Sequence, residues 1–397
     1  MSEHLQGFSG SDGSGGRVEV TLPISPRLLI EDWASLQSSM VKTMPETFTR
    51  DEWAYLISFL SPENLWRPFR ESFGQEAKDG AVKKAVSLYR PRGQVGLWLP
   101  NNVSLLGPLT MILLSLTGQR MDIKVGSRSA DLTSAFVEFV LSKLKPGPLA
   151  TLLRSQLHCA TFPRTDERNA RMAAESKVRI VFGGDEAAEA IDRLPHPPGS
   201  VGYYFVDKRS EAWLEAAALS DETLSTLIKV FTIYGRAGCT SPRRAVIFGA
   251  KPGEVSAIRD RLFALWPKAW PRKPPMHIAS ENIMARQWAA AVGWDAATAP
   301  NHAATLCIGD TELQEIDTLM FLPLTTGERE SVTRSLPANI QTVGHALATP
   351  PDAAWLAAIA RTGIKRFVPL GQMHHFGPTW DGYEFWKGLF ERVEVGG

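Results

Sequence analysis

The sequence predicts an α/β protein built around a parallel sheet. The prediction rests on the order in which apolar strands and helices follow one another along the chain. A short apolar strand at 94–100 is followed by an apolar helix at 105–117, and a strand at 120–125 precedes a helix at 131–144. The alternation of strand and helix continues through 157–192. Such alternation is typical of βαβ units, whose successive strands lie parallel in one sheet.

Before this alternation begins, the chain predicts a leader and a helical region. Residues 1–17 are polar and glycine-rich, without the apolar run of a secretory signal, and predict a disordered leader. Alternating residues at 18–22 predict a strand. Residues 49–88 have an amphipathic helical pattern, in which Thr49–Glu52 open the run from Trp53 to Leu60.

Punctuating residues bound the elements of the alternating region. Pro100 ends the first strand, and Gly118 ends the helix after it. Asp131 begins the next helix, which is expected to run to about Leu144. Further on, a strand at 157–162, a helix at 166–175, a strand at 177–182 and a helix at 186–192 are expected.

The second half of the chain predicts more of both elements. Helices are expected at 210–218, 221–233, 254–266, 280–292 with a serine N-cap, 351–362 and from near Gly382. Strands are expected at 201–206, 244–249, 304–308, 318–322, 342–346 and 366–369.

Composition limits the classes of partner. Of 397 residues, Lys and Arg number 43 and Asp and Glu 42, for a net charge of +1, which gives no electrostatic reason to bind nucleic acid. No apolar stretch approaches the roughly 18 residues of a membrane span. The cysteines Cys159, Cys239 and Cys307 have neither a disulfide nor a metal spacing. We expect a soluble, cytoplasmic protein without a membrane span.

The stretch Tyr234–Pro242 is the first candidate for chemistry. Its glycines allow a tight turn around Cys239, in which backbone N–H groups and the cation Arg236 would favour a thiolate. A cysteine in such a turn is either a nucleophile or a small buried residue. From the local sequence alone both readings stay open.

Polar and glycine residues follow three predicted strands at the edge where parallel sheets bind ligands. Asn101–Asn102 follow the first strand, and either amide would serve the turn or donate to an oxyanion. Lys124, with Gly126–Ser129 after it, would bind a ribose or phosphate or would be a solvated lysine. Gly183–Gly184 follow a third strand, and no GxGxxG fingerprint occurs.

Two other site types are not favoured. The adjacent pair His374–His375 with Asp381 does not predict a metal site, because neighbouring histidines do not chelate one ion easily and no third ligand is spaced nearby. A serine hydrolase is not favoured either, since no G-x-S-x-G occurs.

Taken in order, several blocks resemble those of the aldehyde dehydrogenase superfamily, and most closely its acyl-CoA reductase branch, the LuxC-like fatty acid reductases. The matching blocks are Leu99–Gly107, Ile123–Ser127, Val181–Ala187, Gly238–Pro242, Ile340–Gly344, Gly363–Gly371 and Trp380–Gly382. Ser104 stands where proline is usual in the family, and the first 90 residues match poorly.

The resemblance implies an aldehyde dehydrogenase-like fold. A nucleotide-binding domain with a parallel sheet would cover 18–204, and an α/β catalytic domain carrying the cysteine would cover 205–345. The segment 346–397 would pack back on the nucleotide-binding side.

The resemblance also implies a reaction and its residues. Cys239 would attack the carbonyl of an acyl-CoA or carrier-bound acyl group, and Asn102 with the Cys239 N–H would hold the oxyanion. The acyl-enzyme would then be reduced to an aldehyde, with a long fatty acyl chain as the expected substrate.

The expected cofactor is NADPH. Lys124, with Ser127 and Arg128, would face its ribose, and Arg128 favours a 2′-phosphate. Gly183 and Gly184 would let its phosphates pass close to the backbone.

One missing residue favours reduction over oxidation. Aldehyde-oxidising relatives use a glutamate to activate the hydrolytic water, and the corresponding segment 200–208 has none, unless Asp207 replaces it. An oxidising aldehyde dehydrogenase and a non-catalytic scaffold in an acyl-transfer complex are the alternatives. A homo-oligomer and an acyl-activating or acyl-transferring partner enzyme are expected from similar proteins.

Overall fold

The computed structural model describes residues 6–11, 17–74, 86–100, 103–126, 131–206, 208–309 and 318–395. The chain divides into two compact units. The first consists of Met1–Val206 with Phe376–Gly397, and the second of Asp207–His375. No helix in the described ranges is long and apolar enough to cross a bilayer.

The first unit contains nine strands among its described residues. They are β1 (Gln6–Ser11), β2 (Arg17–Leu22), β3 (Val86–Pro91), β4 (Val95–Trp98), β5 (Met121–Val125), β6 (Leu157–Thr161), β7 (Val178–Gly183), β8 (Val201–Val206) and, near the C-terminus, β16 (Phe390–Val395). The strands numbered between β8 and β16 belong to the second unit. Its helices are α1 (Pro26–Ser35), α2 (Gln37–Lys42), α3 (Arg50–Phe59), α4 (Pro62–Phe73), α5 (Leu106–Ser115), α6 (Leu132–Lys143), α7 (Pro148–Gln156), α8 (Arg168–Glu175), α9 (Asp185–Asp192) and the late α15 (Phe385–Gly388).

The second unit is built from the elements between them. Its strands are β9 (Arg209–Glu215), β10 (Pro242–Phe248), β11 (Asp295–Thr298), β12 (Thr305–Ile308), β13 (Phe321–Gly327), β14 (Ile340–Ala346) and β15 (Arg366–Pro369). Its helices are α10 (Asp221–Thr232), α11 (Pro252–Ala269), α12 (Met276–Ala291), α13 (Arg329–Arg334) and α14 (Ala353–Ala360).

A five-stranded parallel sheet is the framework of the first unit. Its order is β6-β5-β4-β7-β8, so the chain starts at the centre, builds one side and then the other. Every residue of the central strand β4 is buried. Such burial is expected where helices cover both faces of a parallel sheet. This order places the ends of β4, β5 and β7 at one carboxyl edge, beside the point where the topology reverses.

Local signals fix the helix starts that the sequence predicted. Thr49 forms a capping box with Glu52, in which Glu52 N donates to Thr49 Oγ1 over 3.3 Å. Asp131 Oδ1 accepts from Ser134 N at 2.9 Å, at the start of α6. Helix α5 is buried throughout Gly107–Ser115, which explains why its sequence is apolar on all sides.

The second unit has a seven-stranded sheet in the order β11-β12-β13-β10-β9-β14-β15. All of its pairs are parallel except β11 with β12. A smaller sheet in the first unit has the order β1-β2-β3-β16. The mixed α/β class with parallel sheets is therefore confirmed.

Two predicted elements and one predicted helix start are wrong. The helix expected at 210–218 is β9, a strand whose residues Ser210–Leu214 are buried at the centre of the sheet, where tertiary pairing overrides helix-forming Glu, Ala and Leu. The helix expected from near Gly382 is limited to α15, and β16 follows it. The helix expected at 280 begins at Met276.

Two further segments differ from expectation at the N-terminal side. Residues 86–88, at the end of the expected helical region, belong to β3, which pairs with β2 and β16. Gln6–Ser11, inside the expected leader, pair antiparallel with β2.

Candidate active site

The Cys239 loop connects helix α10 to strand β10, and a 3₁₀ turn at Gly235–Ala237 shapes its first half. Gly235 has φ +52°, and a Cβ there would lie 2.5 Å from Leu319 O. Arg236 N donates to the same carbonyl at 2.8 Å. Both the left-handed backbone and the close approach require glycine at this position.

Gly238, immediately before the cysteine, is needed for space rather than for its dihedral angle. Its φ is −78°, which any residue adopts. A Cβ there would lie 2.7 Å from Tyr234 Cβ and 2.8 Å from Ser241 Oγ. The loop therefore closes tightly on itself around Cys239, whose side chain is partly exposed.

Ser210 connects the backbone of Cys239 to the interior strand β9. Its hydroxyl donates to Cys239 O at 2.6 Å, and it accepts from Thr342 N at 3.3 Å. Ser210 is fully buried in β9. Cys239 is thus fixed at the point where the loop enters the sheet.

Thr240, the next residue, contacts a histidine from far along the chain. Thr240 Oγ1 and His374 Nδ1 are 2.7 Å apart, and His374 Nε2 is 2.6 Å from Val230 O. A carbonyl only accepts, so Nε2 carries the hydrogen, and Nδ1 of the neutral ring accepts from the Thr240 hydroxyl. Burial lowers the pKa of His374 to about 4, which keeps the ring neutral.

Arg236, the cation expected beside the thiol, lies near the aromatic ring of Phe321. Its guanidinium carbon lies 5.9 Å from the centroid of the Phe321 ring, within range of a cation–π contact. Part of its charge is therefore directed toward β13.

The other two cysteines have environments that suppress reactivity. Cys307 is buried in β12, and Cys159 is partly buried in β6. Burial raises the pKa of each thiol to about 12, with a further contribution from Asp295 and Asp131 respectively. Both remain thiols at neutral pH.

In the first unit, Lys124 ends β5 and lies over an aromatic ring. Its Nζ is 5.5 Å from the centroid of Phe162, which follows β6. Burial lowers the pKa of Lys124, and the charge of Arg164 lowers it further. The guanidinium carbon of Arg168 is 4.4 Å from the centroid of the same ring. Asp166 binds that guanidinium through both of its carboxylate oxygens.

The loop that carries Arg164 is fixed from inside the unit. The buried Asn169 donates to the carbonyls of Pro163, Arg164 and Asp166 at 3.0–3.2 Å, and accepts from Trp98 Nε1 at 3.1 Å. This arrangement was not predicted, because nothing in the sequence pairs β4 with the loop after β6.

Gly183 ends β7 at the same carboxyl edge, and Gly184 follows it at the N-cap of α9. Gly184 has φ −93°, and a Cβ there would have no atom of the described chain within 4 Å. A Cβ on Gly183 would make only an ordinary contact with Ala187 at 3.6 Å. Neither strain nor packing requires glycine here, so the two residues leave open space beside the backbone.

Three predicted site residues, Asn102, Ser127 and Arg128, lie outside the described residues. Asn101 does as well. The described residues include no group of three or more His, Cys, Asp or Glu that would hold a metal ion.

The segment without a glutamate is an aromatic strand. Within β8, Phe205 is buried and stacks on Phe182 with ring centroids 4.7 Å apart. The next glutamate along the chain, Glu211, is buried in β9 and accepts from Arg244 Nε at 2.7 Å.

A family model fits this chain over most of its length. The model described as acyl-CoA reductase (LuxC) matches residues 37–391. The chain belongs to the acyl-CoA reductase (LuxC) family. The resemblance read from the motif blocks is confirmed, and membership makes the protein an oxidoreductase that acts on acyl or aldehyde groups.

Solved structures show that this family member has the aldehyde dehydrogenase fold. An oxidoreductase from Marinobacter aquaeolei has a TM-score of 0.64 at 12% identity, covering 93% of this chain and 84% of that one. Lactaldehyde dehydrogenase from Escherichia coli has a TM-score of 0.61 with the same identity and coverage. An NAD-dependent aldehyde dehydrogenase from Sinorhizobium meliloti has 0.62 at 13% identity, covering 93% and 82%. No curated protein matches the sequence.

Proposed function

We propose that this acyl-CoA reductase family member reduces a long-chain fatty acyl thioester to the aldehyde with NADPH, through an acyl group carried on Cys239. The observation that carries the proposal is the Cys239 loop. It is held by Ser210 and by two sterically required glycines, whereas the pKa of Cys159 and Cys307 is raised to about 12.

The first step is acyl transfer to the cysteine. The Cys239 thiolate attacks the acyl carbonyl carbon, a new C–S bond forms, and the bond to the CoA sulfur breaks as that thiolate leaves with its electron pair. The Cys239 N–H and Asn102 would donate to the oxyanion. Ser210 fixes the Cys239 carbonyl, so the backbone on the C-terminal side of the thiol is held in place.

The residues at the carboxyl edge of the five-stranded sheet fit a dinucleotide. Lys124 supplies a cation at the end of β5, and the open space beside Gly184 would admit phosphates. Those phosphates would lie along the backbone and not on the axis of α9, because Asp185 and Glu186 occupy its first turn. When bound, a nicotinamide would supply the hydride. The acyl carbonyl carbon would gain a C–H bond, and its bond to Cys239 Sγ would break as the thiolate leaves with its electron pair, which releases the aldehyde.

Arg164 supports a preference for NADPH over NADH. Asn169 holds its loop, and its charge acts on Lys124. A second cation near the ribose favours a 2′-phosphate. Two structural neighbours are described as NAD-dependent, one of them the Sinorhizobium meliloti enzyme, so a preference for NADPH would come from residues of this chain.

The surroundings of the thioester support reduction over hydrolysis. The segment 200–208 contains no glutamate, and Glu211 is held by Arg244 and by Trp213 Nε1 at 3.0 Å. A carboxylate bound on both oxygens is poorly placed to take a proton from water. The acyl-enzyme would therefore persist until it is reduced.

The deciding experiment separates acylation from reduction. The protein is incubated with acyl-CoA of short, medium and long chain, first without and then with NADPH or NADH. Intact-mass measurement should show one acyl group on Cys239 without cofactor, and thiol release with aldehyde formation when NADPH is added. Absence of both with every chain length, and also with a carrier-bound acyl group delivered by a partner enzyme, would refute the proposal.

A further inference from the structure

His374 contacts the Cys239 loop at its start, its end and its supporting helix. Its ring meets Tyr234 edge to face, with centroids 5.1 Å apart. Its Nδ1 accepts from Thr240, and its Nε2 donates to Val230 O in the last turn of α10. One imidazole thus contacts the loop near both ends and the helix that precedes it.

The segment that presents His374 is itself fixed. The Arg366 guanidinium in β15 donates to the carbonyls of Gln372, Met373 and His375 at 3.0–3.2 Å. Met373 is buried against Gly344 of β14, where a side chain larger than hydrogen would clash. The imidazole therefore has a defined position and does not simply follow the loop.

We infer that His374 and Thr240 are positioning residues for Cys239. Their hydrogen bond holds the loop that carries the nucleophile in its reactive shape. The inference rests on the proposed function, in which Cys239 receives the acyl group. Displacing a reacting atom by about 1 Å costs on the order of a hundredfold in rate, so a bond one residue from the thiol is well placed to control acylation.

The neighbouring hydroxyl provides a matched comparison. Ser241 Oγ is fully buried and has no hydrogen-bond partner among the described residues. Thr240 and Ser241 therefore share a loop, a functional group and burial, and only Thr240 bonds to His374. A general loosening of the loop by lost hydroxyls would affect both, whereas the positioning role belongs to Thr240 alone.

The test begins with Thr240→Val, Thr240→Ser and Ser241→Ala in the full chain. Thr240→Val should lower the rate of Cys239 acylation by about ten- to hundredfold and leave KM for NADPH unchanged. Thr240→Ser should restore acylation, and Ser241→Ala should retain it. Equal acylation rates in Thr240→Val and wild type would overturn the inference.

His374 is tested with two variants that each keep one of its bonds. An asparagine side chain places its oxygen near Nδ1 and keeps an acceptor for Thr240, while glutamine places its amide near Nε2 and keeps the donor to Val230. His374→Asn should acylate faster than His374→Gln. The reverse order would show that His374 serves only the helix.

A readout without substrate keeps this inference separate from the proposed function. Hydrogen exchange of the amides in 235–241 should accelerate about tenfold in Thr240→Val and not in Ser241→Ala, whether or not any acyl-CoA reacts. Unchanged exchange would overturn the positioning role. Accelerated exchange together with no acylation of the wild type would uphold the loop contact and refute the proposed function.

Discussion

Arg244 Nε lies 2.7 Å from Glu211 Oε1, joining the neighbouring strands β10 and β9 inside the second unit. The second carboxylate oxygen accepts from Trp213 Nε1 at 3.0 Å. Glu211 is 5% exposed, so this carboxylate is paired away from water. The strand that anchors Cys239 through Ser210 is therefore cross-linked to the strand that the cysteine loop enters.

We predict that Glu211→Gln destabilises the protein strongly. Removing one member of a buried pair leaves Arg244 without its counter-charge, which costs about 3–5 kcal/mol. Urea unfolding at neutral pH measures the loss. The matched control is Glu31→Gln in the exposed pair with Arg27, where less than about 1 kcal/mol is expected. Similar losses in both variants would contradict the account of the buried pair.

The three cysteines should differ sharply in their contribution to activity. Cys239→Ala should abolish acylation and aldehyde formation, because no other thiol can carry the acyl group. Cys159→Ala and Cys307→Ala should retain most activity, since the pKa of each thiol is raised to about 12 and neither is a nucleophile at neutral pH. Comparable loss in all three, with unaltered thermal unfolding, would contradict the assignment to Cys239.

Cofactor preference should respond to Arg164. Arg164→Ala should raise KM for NADPH about tenfold and leave KM for NADH nearly unchanged. The variant removes a cation near the 2′-phosphate, and NADH has no such phosphate. Steady-state kinetics with both cofactors measures the ratio. Arg171, an exposed arginine paired with Glu167, is the control, and Arg171→Ala should change neither constant. An equal rise of KM for both cofactors would contradict a role in 2′-phosphate recognition.

Gly235→Ala should lower the free energy of unfolding by more than the strain of its positive φ alone would. Gly249 also has a positive φ, of 72°, but a Cβ there meets nothing within 4 Å. Gly249→Ala therefore measures the strain of a left-handed residue, about 1 kcal/mol. Gly235→Ala adds a clash with Leu319 O, so its unfolding free energy should fall further, together with the acylation rate. Equal losses in both variants would show that the clash relaxes without cost.

The elements that local sequence determines were predictable, and those that depend on distant pairing were not. Residues at helix starts, such as Thr49 and Asp131, act within a few residues of themselves. The βαβ order of the first unit follows from the alternation of apolar strands and helices along the chain. Strand β9 was predicted as a helix, because burial at the centre of a sheet outweighs the helical preference of its residues.

The same distinction applies to the site. The glycines beside Cys239 are visible in the sequence, and Cys239 was selected from them and from the motif blocks. His374 was considered only as a metal ligand and was set aside, because adjacent histidines do not easily chelate one ion. Its partner Thr240 lies 134 residues earlier in the chain. A hydrogen bond between two segments that far apart has no signature in one sequence.

The stability of the protein should depend on pH through His374. Burial lowers the pKa of this imidazole from 6.5 to about 4, and the charges of Arg366 and His375 act in the same direction. Between these two values the unfolded chain binds a proton that the folded chain does not, so stability falls as the pH falls from about 6.5 to about 4. The loss through this one group is on the order of 3 kcal/mol.

His374→Asn isolates this effect from the titration of carboxylates, because asparagine carries no titratable proton. The free energy of unfolding of wild type and variant should be measured at pH 7 and near pH 4. At pH 7 the wild type should be the more stable, since its neutral imidazole keeps the bonds to both Thr240 and Val230. Near pH 4 that advantage should shrink or reverse. A constant difference across the range would mean that His374 has the same pKa in the folded and unfolded chain, and that its neutral form is not required by the loop.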